Sequence, residues 1–153
     1  MTFEEQLKTS GKLVFTNKGV SMMPLIRADR DVLVIEACEA CEVRKLDAVL
    51  FVRYDNGKKN YVLHRVLRIN SDGTFWIVGD NCVGGDTVRP QDILGKLTSI
   101  KRDGKLISVT DKNYLRYVHL WCDFYQVRFF LLRVKSFLSR ALRFIKRRLI
   151  HEK

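Results

Sequence analysis

Three residue types that together support nucleophilic catalysis occur in the first part of the chain. Ser21 stands in residues 19–24, between a glycine and a proline, His64 lies in an apolar run, and Asp80 and Asp86 occupy a glycine-containing loop. A serine hydroxyl is a poor nucleophile until a base accepts its proton, and an imidazole with a pKa of about 6.5 suits that task near neutral pH. A carboxylate can orient that imidazole. Taken singly, these residues are typical of turns and of a structural histidine.

Five short segments that contain these residues follow one another between residues 12 and 110. In chain order they are Ser21-Met22-Met23-Pro24, Asp29-Arg30-Asp31-Val32-Leu33-Val34, Lys45-Leu46-Asp47-Ala48-Val49-Leu50-Phe51, His64-Arg65-Val66, and Gly79-Asp80-Asn81 followed by Asp86. The set resembles the motifs of the signal peptidase I-like serine proteases. The histidine and the glycine-containing loop are similar to those of the subfamily found in archaea and the endoplasmic reticulum. Five segments in family order are far more specific than any one of them.

The resemblance implies a role for each of four residues. Ser21 would be the nucleophile, His64 the general base and Asp86 the residue that orients the histidine. Asp80 would brace the loop that carries Asp86 or form a hydrogen bond near His64. The backbone N–H of Ser21 is the expected donor to the oxyanion of the tetrahedral intermediate.

The chain departs from the family pattern at several points. The bacterial branch has a lysine base, so His64 implies the histidine variant. Where the family usually has a hydroxyl residue that helps to stabilise the oxyanion, this chain has Gly19, and the first aspartate of the family's closing pair is Gly85. Family members usually carry a membrane-spanning helix before the serine, and no uncharged apolar run here approaches the length of about 20 residues that a span needs.

The implied activity is a serine endopeptidase that cuts leader or signal peptides after small residues, with the substrate bound as an added β-strand. Met22 and Met23 are expected to line the substrate cleft, with packing in the core as the alternative. No metal or other cofactor is expected. A function of a different class, a non-catalytic module that binds peptide or membrane, remains open. Specific nucleic-acid binding is not favoured, because no helix-turn-helix pattern precedes the β-rich segment.

The elements that must position these residues are mostly strands. A helix is expected at residues 3–9, and short runs of β-type residues separated by turn signals then predict strands at 13–15, 31–36, 48–54, 61–69, 74–78, 93–100 and 106–110. The predicted fold is mainly β, a signal-peptidase-like barrel or sandwich over residues 1–112, followed by a basic amphipathic helical tail over residues 113–153.

The tail carries most of the positive charge. Residues 114–153 hold ten Lys and Arg against two acidic residues, a formal charge of +8 out of +11 for the chain. Its apolar positions recur at helical spacing, which predicts either a helix lying on an anionic membrane surface or one packed on the β-domain or on a second copy. The N-terminus shows no secretory signal pattern. The expected location is therefore a membrane surface, reached peripherally, or the cytoplasm.

Overall fold

The computed structural model describes the backbone of residues 2–151 and the side chains of residues 2–143. Helix α1 spans Phe3–Ser10, α2 spans Lys112–Val118 and α3 spans Tyr125–His151, with a π-helical turn at His119–Asp123 before α3. Short 3-10 helices lie at Ala40–Glu42 and Pro90–Asp92. The strands are β1 (Lys12–Thr16), β2 (Val32–Ala37), β3 (Ala48–Asp55), β4 (Lys58–Ile69), β5 (Phe75–Val78), β6 (Gly85–Val88), β7 (Ile93–Arg102) and β8 (Lys105–Ser108).

The strands form one antiparallel sheet, which confirms the prediction of a mainly β fold. Their order is β1-β2-β7-β3-β4-β5-β6, and β8 pairs with the C-terminal half of β7. The predicted strands and the helix near the N-terminus all have counterparts. Strand β6, which carries Asp86 and pairs with β5, is not predicted from the sequence, because Gly84 and Gly85 at its start are typical of a loop.

Two tight turns set the register of two hairpins. Asn56 and Gly57 have φ angles of 50° and 77° between β3 and β4, and Asp103 and Gly104 have 48° and 79° between β7 and β8. Both central residues of a type I′ turn need positive φ, which asparagine, aspartate and glycine adopt most readily. The first turn pairs His64 of β4 with Val49 of β3.

The sheet separates two hydrophobic clusters. Because side chains alternate along a strand, Leu63 and Leu67 of β4 enter the larger cluster, while Val66 enters the smaller one. His64 and Arg65 are neighbours on β4 and therefore point to opposite faces of the sheet. The sheet thus assigns the histidine and the arginine to different environments.

The first turns of the C-terminal helical segment belong to the core. Tyr114, Val118 and Cys122 are buried in the larger cluster, and Trp121 and Tyr125 pack against it. Arg128, in the first turns of α3, is only 2% exposed. Most of the apolar residues between 114 and 125 therefore pack on the β-domain, which is one of the two locations predicted for the apolar stripe.

Candidate active site

Ser21 lies in the long connection between β1 and β2, which is fixed by core packing and by hydrogen bonds. Met22, the next residue, has no exposed surface and packs in the larger cluster, whereas Met23 is 39% exposed. The Asn17 side chain accepts a hydrogen bond from the Gly19 N–H and donates one to the Gly19 carbonyl. Met22 is therefore a core residue that anchors Ser21, and the structure does not place it in the wall of an open cleft.

Ser21 and His64 line the same open groove, which has a volume of about 530 Å³. His64 reaches it from β4, between Leu63 and Arg65. Within the part of the chain that the structure describes, no hydrogen bond joins the Ser21 hydroxyl to the imidazole. Such contacts are often longer without substrate than in the reacting complex. The other residues that line the groove are Asn17, Lys18, Gly19, Arg53, Tyr61, Val62, Leu63 and Cys82.

Gly79 allows the serine and histidine segments to approach each other. A Cβ on residue 79 would lie 2.7 Å from the Ser21 carbonyl oxygen and 3.0 Å from His64 Nε2. It would also lie 2.9 Å from Cys82 Sγ. A Cβ cannot lie 2.7 Å from a backbone oxygen, so the backbone would have to shift. Glycine at this position is therefore what lets Nε2 face the Ser21 segment.

The opposite ring nitrogen of His64 faces Asp86. Nδ1 lies 3.8 Å from Asp86 Oδ2, too far for a hydrogen bond, and this buried atom has no hydrogen-bond partner among the described residues. The same carboxylate oxygen lies 3.4 Å from Nη1 of Arg53. The imidazole thus has the backbone of the Ser21 segment near Nε2 and the Asp86 carboxylate near Nδ1, and Arg53 shares that carboxylate.

Burial lowers the pKa of His64 below its usual value. The negative charge of Asp86 opposes this shift, and the positive charge of Arg53 adds to it. Desolvation disfavours the charged form of the ring, so the imidazole is neutral at neutral pH. A neutral imidazole is the form that can accept a proton.

Asp80 lies on the other side of the sheet from His64. Its carboxylate accepts two hydrogen bonds of 2.8 Å from Arg65, and both side chains are completely buried. Tyr117 donates to the same carboxylate at 3.3 Å, and the indole N–H of Trp121 donates to the Asp80 carbonyl at 2.9 Å. Arg128 Nη1 lies 3.7 Å from the carboxylate. Asp80 therefore ties its loop to β4 and to the C-terminal helical segment.

The loop that Asp80 anchors also holds the Ser21 backbone. The Asn81 N–H donates to the Ser21 carbonyl at 2.7 Å, and the Asn81 side chain donates to the Val20 carbonyl at 3.3 Å. The predicted roles of Asp80, bracing the loop that carries Asp86 or bonding near His64, stay predictions; the contacts that the structure shows run from Arg65 through residues 79–81 to Ser21.

The oxyanion donor expected from the sequence is the backbone N–H of Ser21. Among the described residues, no protein group accepts a hydrogen bond from the Ser21 N–H, which leaves this donor available to a ligand. A Cβ on residue 19 would lie 3.9 Å from Ser21 Oγ, at an ordinary contact distance. A Cβ would therefore fit at position 19, where this chain has glycine in place of the hydroxyl residue that the resemblance leads one to expect.

Arg53, Arg65, Cys82, Trp121 and Arg128 are neighbours of the site that the sequence did not single out. Arg65 is adjacent to His64, and a charged residue within an otherwise apolar strand is a signal for a buried partner. Arg53 and Cys82 carry no comparable signal. Trp121 and Arg128 belong to the helical tail, where the sequence indicates only an amphipathic helix.

No set of three or more His, Cys, Asp and Glu side chains in the described part of the chain converges as metal ligands would. Comparison of the chain with protein-family models, curated proteins and solved structures finds no match.

Proposed function

We propose that the protein is a serine endopeptidase of the signal peptidase I-like type, with the described sheet as its catalytic β-domain. The single observation that carries the proposal is the arrangement around the His64 ring. Nε2 faces the Ser21 segment across Gly79, and Nδ1 faces the Asp86 carboxylate at 3.8 Å. A base with a nucleophile on one nitrogen and a carboxylate on the other is the arrangement that acyl transfer by serine needs.

In the proposed reaction, Ser21 Oγ attacks the carbonyl carbon of the scissile peptide bond while His64 Nε2 takes the hydroxyl proton. The carbonyl oxygen becomes an oxyanion, to which the Ser21 N–H donates. His64 then returns its proton to the leaving amine as the C–N bond breaks, which leaves an ester on Ser21. A water molecule, activated by His64 in the same way, hydrolyses that ester and restores the hydroxyl.

The proposed roles of the remaining residues follow from their positions. Asp86 stabilises the imidazolium that forms during the reaction, and Arg53 holds the Asp86 carboxylate in place. Asp80 acts indirectly, through residues 79–81 and the Ser21 backbone. The substrate is a leader or signal peptide with small residues at the cleavage site, lying along the groove beside β4.

Cleavage of a matched pair of peptides tests this function. The first peptide has an apolar stretch followed by small residues, and in the second peptide the small residues are replaced by tryptophan. The full-length protein should cut the first peptide at one position after a small residue and leave the second intact, with no effect of a metal chelator. Mass spectrometry of the products gives the position.

A non-catalytic peptide-binding module is the second candidate, favoured by Gly19 and by the absence of a hydrogen bond between Ser21 and His64 in the described structure. It predicts that both peptides remain intact while at least one binds the protein. Measuring binding by fluorescence anisotropy on the same two peptides therefore separates the two functions.

Gly79→Ala is expected to lower kcat/KM by about 10²-fold, because the new methyl group displaces the Ser21 carbonyl and the imidazole from each other. The matched control is Gly84→Ala in the same connection, where a Cβ has no neighbour within 4 Å. This control should keep wild-type cleavage. Equal activity of the two variants would show that the approach at residue 79 is not required.

A further inference from the structure

One face of α3 is already occupied by the β-domain. The rings of Tyr125 and Phe129 contact Trp76 of β5, with centroid distances of 5.5 Å and 6.3 Å. Arg128 is buried beside Asp80, and Leu132 is half-buried. These four residues lie on one side of the helix, because positions three and four apart share a face. The rotation of α3 about its axis is therefore determined by its first two turns.

The opposite face of α3 is apolar and exposed. At about 100° per residue its apolar positions fall within a sector of about 140°, centred on the side away from the β-domain. Each of these side chains is between 38% and 67% exposed. The face, called here the outward stripe, consists of Val127, Phe130, Leu131, Val134, Phe137, Leu138 and Leu142.

Only basic charges accompany the outward stripe. Arg133 and Lys135 border it on either side, and Arg140 and Arg143 lie further round the helix, all of them exposed. Between Phe124 and His151 the sequence contains eight Lys and Arg and no acidic residue. A surface that covers this face must therefore be apolar at its centre and negatively charged around it.

We propose that the outward stripe docks on the surface of an anionic phospholipid bilayer, with α3 lying in the interface parallel to the membrane. Lipid acyl chains would cover the stripe, and phosphate and carboxylate headgroups would pair with Arg133, Lys135 and Arg140. No helix in the described part of the chain is long and apolar enough to cross a membrane. The inference does not depend on catalysis by Ser21.

Charge complementarity favours lipid over a second copy of the chain as the occupant. Two copies that met along their outward stripes would bring their basic borders together, and α3 has no acidic residue to compensate. The like charges on the two helices would repel each other. An anionic lipid surface avoids this repulsion, and each basic side chain near it adds a favourable electrostatic attraction.

Vesicle flotation of the full-length protein tests the proposal. The protein should float with vesicles of phosphatidylcholine mixed with phosphatidylserine at low salt, and it should stay behind with phosphatidylcholine alone or at high salt. A truncated protein that ends near Lys112 would lack the whole helical segment, but it would also lose Tyr114, Val118 and Arg128 from the core and is therefore not a suitable control. Substitutions on the exposed face avoid that problem.

The stripe variant is Phe130→Ser, Phe137→Ser, Leu138→Ser, and its affinity for the anionic vesicles should fall at least about tenfold. The matched control replaces three exposed apolar residues of the β-domain, Tyr54→Ser, Ile69→Ser, Leu106→Ser, and should float like the wild type. Equal urea midpoints for the stripe variant and the wild type show that the fold is retained.

Three results would overturn the proposal. The first is wild-type protein that does not float with anionic vesicles at low salt, and the second is a stripe variant that floats as well as the control. The third is a concentration-dependent dimer in sedimentation velocity that the stripe variant abolishes, with no vesicle binding, which would assign the stripe to a second copy.

Discussion

Ser21→Ala and His64→Ala should each lower kcat/KM for a leader-type peptide by at least about 10³-fold, with cooperative urea unfolding retained in both; the midpoint should stay that of the wild type for Ser21→Ala and fall for His64→Ala, because its ring is buried. The proposed mechanism uses the serine oxygen and the imidazole nitrogen in one proton transfer, so either loss stops the same step. For this reason the double variant should be no slower than the single variants. Initial rates of peptide cleavage, measured by chromatography, check all three.

Cys82 provides the control for these variants, because it lines the same groove and is the other nucleophile near His64. Burial raises the pKa of the Cys82 thiol above its usual value, so it is protonated and a poor nucleophile at neutral pH. Cys82→Ala should therefore retain cleavage. If cleavage survives in Ser21→Ala and is lost in Cys82→Ala, the nucleophile is the cysteine and the serine mechanism is wrong.

Asp80→Asn should lower the free energy of unfolding by about 3–5 kcal/mol. The substitution leaves the completely buried Arg65 guanidinium without the carboxylate that accepts its two 2.8 Å hydrogen bonds, and an uncompensated buried charge is costly. Tyr117 would lose its charged acceptor at the same time. The shift of the urea unfolding midpoint, converted with the measured slope, gives the change in stability.

The exposed ion pair between Lys12 and Glu36 is the matched control for Asp80→Asn. Its side chains are about half exposed, so Glu36→Gln should cost no more than about 1 kcal/mol. Adding Arg65→Met to Asp80→Asn removes the uncompensated charge, and the double variant should cost less than the sum of its two single variants. A loss for Asp80→Asn as small as that of Glu36→Gln would mean that the buried pair does not contribute to stability.

Local patterns determined the strands and their turns. Alternating apolar residues predict β3, β4 and β5, and Asn56-Gly57 predicts the hairpin between β3 and β4, because both signals act over neighbouring residues. The same dependence on local signals explains why strand β6 is not predicted. Gly84 and Gly85 locally favour a loop, and the strand is stabilised by pairing with β5, which the residues of the segment itself do not indicate.

The identities of the candidate site residues came from the order of motifs, but their relations came from the tertiary structure. The approach of His64 Nε2 to the Ser21 segment depends on Gly79, and the 3.8 Å separation of Nδ1 and Asp86 depends on the pairing of β5 with β6 and on Arg53. Asp80 pairs with Arg65 and not with His64 because β4 presents these two neighbours to opposite faces of the sheet. None of these follows from spacing along the chain, because each joins segments that only the folded sheet brings together.

The C-terminal segment shows the same division. Its sequence determines that it is helical, amphipathic and basic, since periodicity and charge are local properties. Whether its apolar residues face the β-domain or solvent depends on how the helix is rotated about its axis. Trp76 and Asp80 determine that rotation through their contacts with Tyr125, Phe129 and Arg128. The β-domain thereby covers one face of α3 and leaves the outward stripe exposed, a choice made by long-range packing rather than by the sequence of the helix.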